Sequence, residues 1–195
     1  MKTTNLAVPA ALALALVAPA AQADSTIRTP GDHPHYAIEV EPHGLFGFSG
    51  PWGGIGFGAG LRLSIPIMQN GFIPKINNSV AITFGGDFLH YDAGCYYLNY
   101  GCSTNALYFP VALQWNFYVA QKWSVMGEAG AAPYNAFYDD YCGTLPQQQQ
   151  RYCNSPSHFS VVPVFNAGAR YHFSEHVALT MRVGYPTASV GVSFM

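Results

Sequence analysis

Residues 105–119 alternate strictly between large apolar side chains and polar or small ones. Leu113 and Trp115 belong to the apolar set, and Gln114 and Asn116 belong to the set that lies between them. A helix would repeat with a period of about 3.6 residues, so the alternation predicts a β-strand. The segment is longer than a usual strand of about five or six residues. It is long enough to cross a membrane at a tilt, which takes about 9–11 residues.

The same alternation recurs along the chain. It predicts eight strands, namely residues 36–48, 55–65, 80–88, 105–119, 123–138, 158–173, 177–185 and 189–194. Each strand has one face of large aliphatic and aromatic side chains and one face of small or polar ones, less regularly in the first and the fifth. Strands that follow one another at such spacing are typical of an up-and-down β-barrel.

The charge content decides which face of each strand is enclosed. Only 9% of the residues are charged, whereas a soluble domain carries about a quarter, so an ordinary solvated surface is excluded. We therefore predict an all-β fold, an eight-stranded antiparallel up-and-down transmembrane β-barrel with its apolar face toward lipid. Charges in the lumen would have to pair, because an unpaired buried ion is costly. The predicted lumen charge network comprises Glu39, Glu41, Arg62, Asp87, Glu128, Arg170 and Arg182.

The N-terminus has the three parts of a secretory signal peptide. Lys2 gives the positive start, residues 10–20 form the apolar core, and Ala21-Gln22-Ala23 is a cleavage site. The core is too short for a spanning helix, and a retained membrane anchor is the alternative. The predicted division of the chain is a cleaved signal peptide (1–23), a short periplasmic N-terminal segment (24–35) and an outer-membrane β-barrel (36–195).

The connections between strands alternate between the two sides of the membrane. With the N-terminus in the periplasm, the outer loops are 49–54, 92–104, 139–157 and 186–187, and the periplasmic turns are 67–78, 121–122 and 174–175. All four cysteines fall in outer loops. An even number of cysteines in an exported protein suggests disulfides. Three pairings are open, and we favour the two local ones, Cys95–Cys102 and Cys142–Cys153.

Aromatic residues are predicted to form two belts, as expected at the two interfaces of a membrane. The periplasmic girdle comprises Trp115, Phe117, Trp123, Tyr171, Phe173 and Phe194. The outer belt comprises Phe88, Tyr91, Phe109, Phe137, Tyr138 and Phe159. Three prolines, Pro110, Pro133 and Pro163, also fall within predicted strands. Each removes a backbone donor, and a closed barrel has no free edge, so we expect a bulge or broken pairing at each.

The signal peptide, the alternating strands and the C-terminal sequence Val190-Gly191-Val192-Ser193-Phe194 resemble the small outer-membrane barrels of the OmpA and OmpX type. The resemblance covers residues 36–195 and lies in the pattern rather than in a specific motif. It implies a location in the outer membrane, contact with its lipid and a partner in the barrel-insertion machinery, which reads a C-terminal aromatic residue. Here Phe194 is penultimate and Met195 is last.

Candidate catalytic residues are few. His90 follows Asp87 by three residues, and Ser160 shares a strand face with His158 near the same predicted rim. Either pair could serve a hydrolase or acyltransferase, but a nucleophile needs its base within hydrogen-bond reach, which the spacing does not show. We therefore assign no catalytic residue and prefer the interpretation that these are polar residues at the edges of loops.

Neither a metal nor a cofactor is predicted. The sequence Asp32-His33-Pro34-His35 places two histidines on one side of an extended segment, yet a solvated periplasmic tail is the preferred interpretation. Without Lys2 the chain has seven basic and ten acidic residues, a formal charge of −3. Because it also lacks a basic patch, nucleic acid is not an expected partner.

The expected function is that of a non-catalytic outer-membrane barrel, with a structural or surface-contact role through disulfide-stapled external loops and an unidentified external ligand or surface. One alternative is an enzyme that modifies lipid A or phospholipid at the rim. A second alternative is a soluble periplasmic ligand-binding barrel. A general diffusion pore is not expected, because a barrel of about eight strands is just wide enough to be filled by side chains.

Overall fold

The computed structural model describes residues 25–48, 55–94, 101–138 and 157–195, and only the backbone at 92–94, 101–103 and 138. No helix in these ranges is long and apolar enough to cross a membrane. The regular structure in them is β1 (Glu39–Gly47), β2 (Ile55–Met68), β3 (Asn78–Gly94), β4 (Gly101–Tyr108), β5 (Val111–Ala120), β6 (Trp123–Tyr138), β7 (Ser157–His172), β8 (Val177–Tyr185) and β9 (Thr187–Phe194).

The strands form one closed antiparallel barrel. Except for β4 and β5, neighbours along the chain pair with each other, and β1 pairs with β9 to close the sheet. β4 and β5 are two halves of one strand, because both pair with β3 on one side and with β6 on the other. The predicted eight-stranded antiparallel barrel is therefore confirmed. We call the end with the start of β1 and the end of β9 the terminal rim, and the opposite end the loop rim.

Side-chain exposure shows which face of the sheet is enclosed. Arg62 and Arg182 are each 4% exposed, whereas Leu113 is 42% and Phe165 is 60% exposed. Large apolar residues thus stand on the outside of the described strands, and polar and charged residues fill the inside. A soluble barrel has the reverse order, so the barrel is built to span a membrane.

The strand prolines are accommodated in different ways. Pro110 breaks its strand between β4 and β5, as expected, while its carbonyl accepts a hydrogen bond from the Gly85 amide at 3.1 Å. No bulge occurs at Pro133 or Pro163, because the register between β6 and β7 is continuous. The broken pairing expected as the alternative is found on the other side of each strand. The Pro133 carbonyl accepts from the Phe109 amide at 2.9 Å, so the Pro133 nitrogen also faces the break in the neighbouring strand.

Pro163 lies where β7 has lost one of its two neighbours. The His172 amide bonds to the β6 side, so the alternation of the strand directs odd-numbered backbone groups, including the nitrogen of Pro163, to the β8 side. The last pair between β7 and β8 is Phe165 with Tyr185. Residues Ser157–Val164 therefore pair with β6 but have no strand partner on the other side among the described residues. We call this segment the open edge of β7.

Candidate functional site

The interior contains a chain of ion pairs with Arg182 at its centre. Arg182 contacts Glu41 and donates from Nε to Glu128 Oε1 at 2.8 Å. Glu128 also accepts from Arg62 at 3.2 Å, and Arg62 reaches Asp87 at 3.4 Å. These five residues are at most 5% exposed. Since they come from β1, β2, β3, β6 and β8, the ion pairs connect strands on opposite walls of the lumen.

A second cluster surrounds Arg170, closer to the terminal rim. Arg170 Nη2 donates to Glu39 Oε1 at 2.6 Å, and its Nε donates to the Thr180 hydroxyl at 3.2 Å. The Thr180 hydroxyl lies 2.6 Å from that of Ser193, which donates to Glu41 at 3.1 Å. The two clusters are therefore continuous through Glu41. The structure brings all seven residues of the predicted lumen network into one system of contacts, which we call the ion network.

Sequence reasoning missed two members of the ion network. His43 Nε2 lies 2.9 Å from Asp87 Oδ1, and Asn166 donates to Glu128 at 2.9 Å. His43 follows Glu41 by two residues, so the alternation of β1 already places it on the inner face. Asn166 also falls on an inward position of its strand, but an amide gives no sign of which carboxylate it contacts.

Toward the loop rim the interior changes from charged to aromatic. The ring of Tyr108 stacks on that of Tyr134 with centroids 4.9 Å apart. The Tyr91 hydroxyl lies 3.3 Å from the Tyr108 hydroxyl. We call these three residues the tyrosine cluster. Apolar side chains pack with it, among them Leu45, Leu89, Ala132 and Val164.

The placement of Tyr91 in the outer belt is wrong. Its side chain points into the barrel and is 1% exposed. β3 extends to Gly94, so its alternation continues past Phe88 and keeps odd-numbered positions inside. Two glycines make room for the ring: a Cβ at Gly47 would come within 2.7 Å of the Tyr91 hydroxyl, and one at Gly56 within 2.6 Å of Cε1. These glycines are the signal in the sequence that an inward aromatic residue lies opposite.

A small cavity lies between the ion network and the tyrosine cluster. Its volume is about 10 Å³, and Arg62, Tyr108, Val164 and Pro186 are among the residues that border it. That is room for about one water molecule, whereas pockets for small molecules measure about 300–1,000 Å³. Side chains thus fill this part of the lumen, and the cavity is too small for a substrate.

The residues considered for catalysis lie apart. Asp87 belongs to the ion network, whereas His90 is exposed on the outer face, with Nδ1 at 2.8 Å from Asn105 Oδ1. A separation of three residues places two side chains on opposite faces of a strand. Ser160 and His158 stand on the inner face of β7 at the loop rim. The four residues therefore form no common site. The described side chains also include no group of three or more potential metal ligands.

The N-terminal segment folds across the terminal rim, and the expected solvated tail is wrong. Asn77, which is fully buried, donates from its side chain to the Asp32 carbonyl at 2.7 Å. The backbone amide of Asn77 donates to the Ile27 carbonyl at 2.8 Å. Residues 25–35, which we call the terminal cap, are therefore held by hydrogen bonds to the turn that precedes β3.

His33 packs between the terminal cap and the barrel. Its ring lies parallel to the ring of Tyr118, with centroids 4.3 Å apart, and stacks on His35 at 4.9 Å. Its Nδ1 lies 2.7 Å from Asn77 Oδ1. Burial lowers the pKa of His33 below its usual value, because desolvation disfavours the charged ring, and the hydrogen bond to Asn77 acts in the opposite direction.

We expect the terminal cap to loosen as the pH falls. The unfolded chain protonates His33 near its ordinary pKa of 6.5, and the folded chain does so only at lower pH. The unfolded state therefore binds more protons in this window, and the stability of the docked cap is lost as the pH falls below 6.5. Hydrogen exchange of the Asn77 amide, corrected for its intrinsic pH dependence, should show less protection in acid.

The control for this prediction is His33→Phe, which keeps a ring for stacking but cannot take up a proton. The titratable neighbours of His33, Asp32 and His35, are unchanged in this variant. Protection of the Asn77 amide should then depend little on pH. An unchanged pH dependence in the variant would assign the effect to one of these neighbours instead.

The outer face carries aromatic residues near both ends of the barrel. The six residues predicted as a periplasmic girdle stand on this face, on the half nearer the terminal rim. Trp115 contacts Phe72, with ring centroids 5.4 Å apart, and Trp123 contacts Tyr171 at 5.1 Å. Sequence reasoning missed Phe72 because it lies in a turn. Of the predicted outer belt, Phe88, Phe109, Phe137 and Phe159 are exposed toward the loop rim, where Phe48 and Phe57 are exposed as well. The side chain of Tyr138 is not described.

The predicted disulfides rest on side chains outside the described residues. Cys95, Cys142 and Cys153 lie outside the described ranges, and only the backbone of Cys102 is described, opposite Ala93. Both pairings stay predictions. The predicted signal peptide also lies outside the described residues.

The chain is similar to several solved outer-membrane proteins. One is Ail, the attachment invasion locus protein of Yersinia pestis, in complex with the heparin analogue sucrose octasulfate, at 11% identity over 80% of this chain and 95% of that chain, with a TM-score of 0.48. Neisserial surface protein A has 13% identity over 80% and 94%, with a TM-score of 0.46. OprG from Pseudomonas aeruginosa has 11% identity over 85% and 92%, with a TM-score of 0.47. No curated protein matches the sequence.

The family model for the outer membrane protein beta-barrel domain matches residues 8–191. This match agrees with the closed barrel and with its apolar outer face. The location in the outer membrane is therefore confirmed, and the alternative of a soluble periplasmic barrel is wrong. The chain belongs to the family of outer-membrane proteins built on this β-barrel domain.

Proposed function

We propose that this protein is a non-catalytic outer-membrane barrel that contacts material outside the cell through the loops at its loop rim. The observation that supports this function is the filled interior. The ion network and the tyrosine cluster occupy the lumen, and the cavity between them holds about 10 Å³. Neither a diffusion pore nor a ligand chamber fits that interior, which leaves the loops as the surface for recognition. Loops on a rigid scaffold commonly carry binding functions.

The proposed orientation puts the terminal rim in the periplasm and the loop rim outside the cell. The longest connection, residues 139–156, then lies outside, which is the usual arrangement in outer-membrane barrels. Phe194 is 49% exposed at the end of β9, where the barrel-insertion machinery could read it. Lipid of the outer membrane would surround the apolar face between the two aromatic belts.

The loops themselves have the composition of a contact surface. Residues 95–100 and 139–156 contain several tyrosine, asparagine and glutamine residues, and their charged residues are Asp139, Asp140 and Arg151. Tyrosine and asparagine suit adaptable recognition.

This proposal predicts how the loop cysteines react on intact cells. An impermeant maleimide should label the protein only after a reductant has opened the disulfides, because the four cysteines would be external but paired. Part of the labelling after reduction should come from Cys142 and Cys153. The double variant Cys142→Ser/Cys153→Ser should lose that part and keep the rest. The readout is the mass shift of the protein on a denaturing gel.

The matched control is Lys122→Cys, which places a thiol in the exposed turn at the terminal rim. On intact cells this thiol should stay unlabelled, and it should react once the outer membrane is permeabilised. Labelling of the loop cysteines without a reductant would disprove the disulfides. Labelling of Lys122→Cys on intact cells would contradict the proposed orientation and place the terminal rim outside the cell.

A further inference from the structure

The open edge of β7 presents a row of unpaired backbone groups. In β7 the odd-numbered backbone groups face the β8 side, and β8 ends opposite Phe165. The edge therefore offers the amides of Ser157, Phe159 and Val161 and the carbonyls of these residues and of Pro163. Within the described part of the chain no strand pairs with them. An edge of this kind is a template for hydrogen bonding.

The edge runs beside the apolar band of the outer face. In β3 the outward residues change from apolar to polar between Phe88 and His90. On β7 the same change falls between Phe159, which is exposed and apolar, and Ser157. Phe159 is 69% exposed and Val161 is 56% exposed on the lipid side. Hydrocarbon cannot satisfy backbone groups at this depth, so the edge requires a polar partner.

A second copy of the chain cannot supply that partner by strand pairing. Two barrels with the same orientation in one membrane are related by an axis along the membrane normal. Their β7 strands, each tilted by about 35–45°, would cross at about twice that angle. Neighbouring strands of a sheet deviate by only about 20–25°. A ladder between two open edges is therefore excluded by geometry.

The chemistry of the edge selects among lipids. Because it offers both amides and carbonyls, its partner must both accept and donate hydrogen bonds. The glycerol ester groups of a phospholipid only accept. Amide-linked, hydroxylated acyl chains, as in lipid A, do both at the depth of the interface. The described outer face near the edge has no lysine or arginine, so the phosphates of the lipid are not the recognised groups.

We propose that the open edge of β7 is a lateral binding site for the amide- and hydroxyl-bearing acyl chains of lipid A. The interfacial groups of the lipid bond to the backbone of Phe159 and Val161, and an acyl chain packs over Val161 and Pro163. Because Pro163 has no amide hydrogen, the row of backbone donors ends at this residue, on the side nearer the membrane core. The site rests on the proposed orientation, since lipid A belongs to the outer leaflet.

Val161→Pro tests the site, because it removes an amide on the open side and leaves the pairing with β6 intact. Val161→Ala is the matched control, since it shortens the same side chain but keeps the amide. The purified, refolded protein is titrated with lipid A in phosphatidylcholine bicelles. Loss of one hydrogen bond should weaken the binding of lipid A by about three- to tenfold in Val161→Pro relative to Val161→Ala. Added salt should change the affinity little, because no charges pair.

Three results would overturn the site. Equal affinities of Val161→Pro and Val161→Ala would show that the edge amide is not used. Binding that falls steeply with salt would assign recognition to the phosphates. A Val161→Pro protein that fails to give the heat-modifiable form, while Val161→Ala folds, would show that the chain itself covers the edge. These results are independent of the cysteine labelling, so the site and the proposed orientation can fail separately.

Discussion

Arg182→Ala is expected to lower the free energy of unfolding by about 3–5 kcal/mol, the cost of breaking a buried ion pair. Arg182 contacts both Glu41 and Glu128, which are 0% and 5% exposed. After the substitution Glu128 keeps its contact with Arg62, but the described contacts of Glu41 include only Ser193 and, at 3.8 Å, His43 Nδ1, and no guanidinium. Urea unfolding in lipid vesicles, followed by tryptophan fluorescence, would measure the loss.

Arg28→Ala is the control for charge removal alone, because Arg28 is an exposed residue of the terminal cap. It should change stability by less than about 0.5 kcal/mol. A triple variant, Arg182→Met with Glu41→Gln and Glu128→Gln, should recover much of the loss. It removes all three charges that meet at Arg182 and leaves Arg62 paired with Asp87 and Arg170 paired with Glu39. If Arg182→Ala and Arg28→Ala unfolded at the same urea concentration, the ion network would not stabilise the barrel.

Leu113→Arg is expected to cost about 2–4 kcal/mol, although Leu113 is 42% exposed. On a soluble protein a residue with this exposure tolerates a charge. Here the side chain stands in the apolar band between the two aromatic belts, and a guanidinium would have to enter hydrocarbon. Unfolding in vesicles of defined thickness would report the cost directly.

Phe173→Arg provides the comparison, because Phe173 is 60% exposed but lies at the terminal rim. A charge near the interface should cost only about 0–1 kcal/mol. The contrast between the two variants tests depth in the membrane rather than exposure. Small and equal costs for both substitutions would contradict a hydrocarbon environment around Leu113.

The faces and bounds of the strands could largely be predicted from the sequence. β6 and β8 have the predicted limits, Trp123–Tyr138 and Val177–Tyr185. Lipid on one side and a polar lumen on the other impose an alternation that needs no knowledge of neighbours. The predicted loop 92–104 is too long, because β3 continues to Gly94 and β4 already begins at Gly101. The residues in these strand ends have the composition of a loop, and pairing between β3 and β4 keeps their backbone extended.

The partners of the inward residues could not be predicted in the same way. Arg182 meets Glu41 and Glu128, which lie 141 and 54 residues away. Such contacts depend on the stagger of the strands around the barrel, and alternation carries no information about stagger. The terminal cap was missed because hydrogen bonds to Asn77 hold it, and these leave no periodic pattern. The length of the unpaired part of β7 around Pro163 also depends on where β8 ends, which alternation does not indicate.

The ion network has a consequence for how the chain folds. Arg170 and Glu39 are 131 residues apart, and Arg182 and Glu41 are 141 residues apart, so these contacts join the last part of the chain to β1. Contacts of such long range form late and slowly. Glu39 and Glu41 therefore stay unpartnered until β8 and β9 have joined β1, and a partly assembled sheet gains nothing from them. Assembly should consequently end in one cooperative step, in which closure of the cylinder and neutralisation of its core occur together.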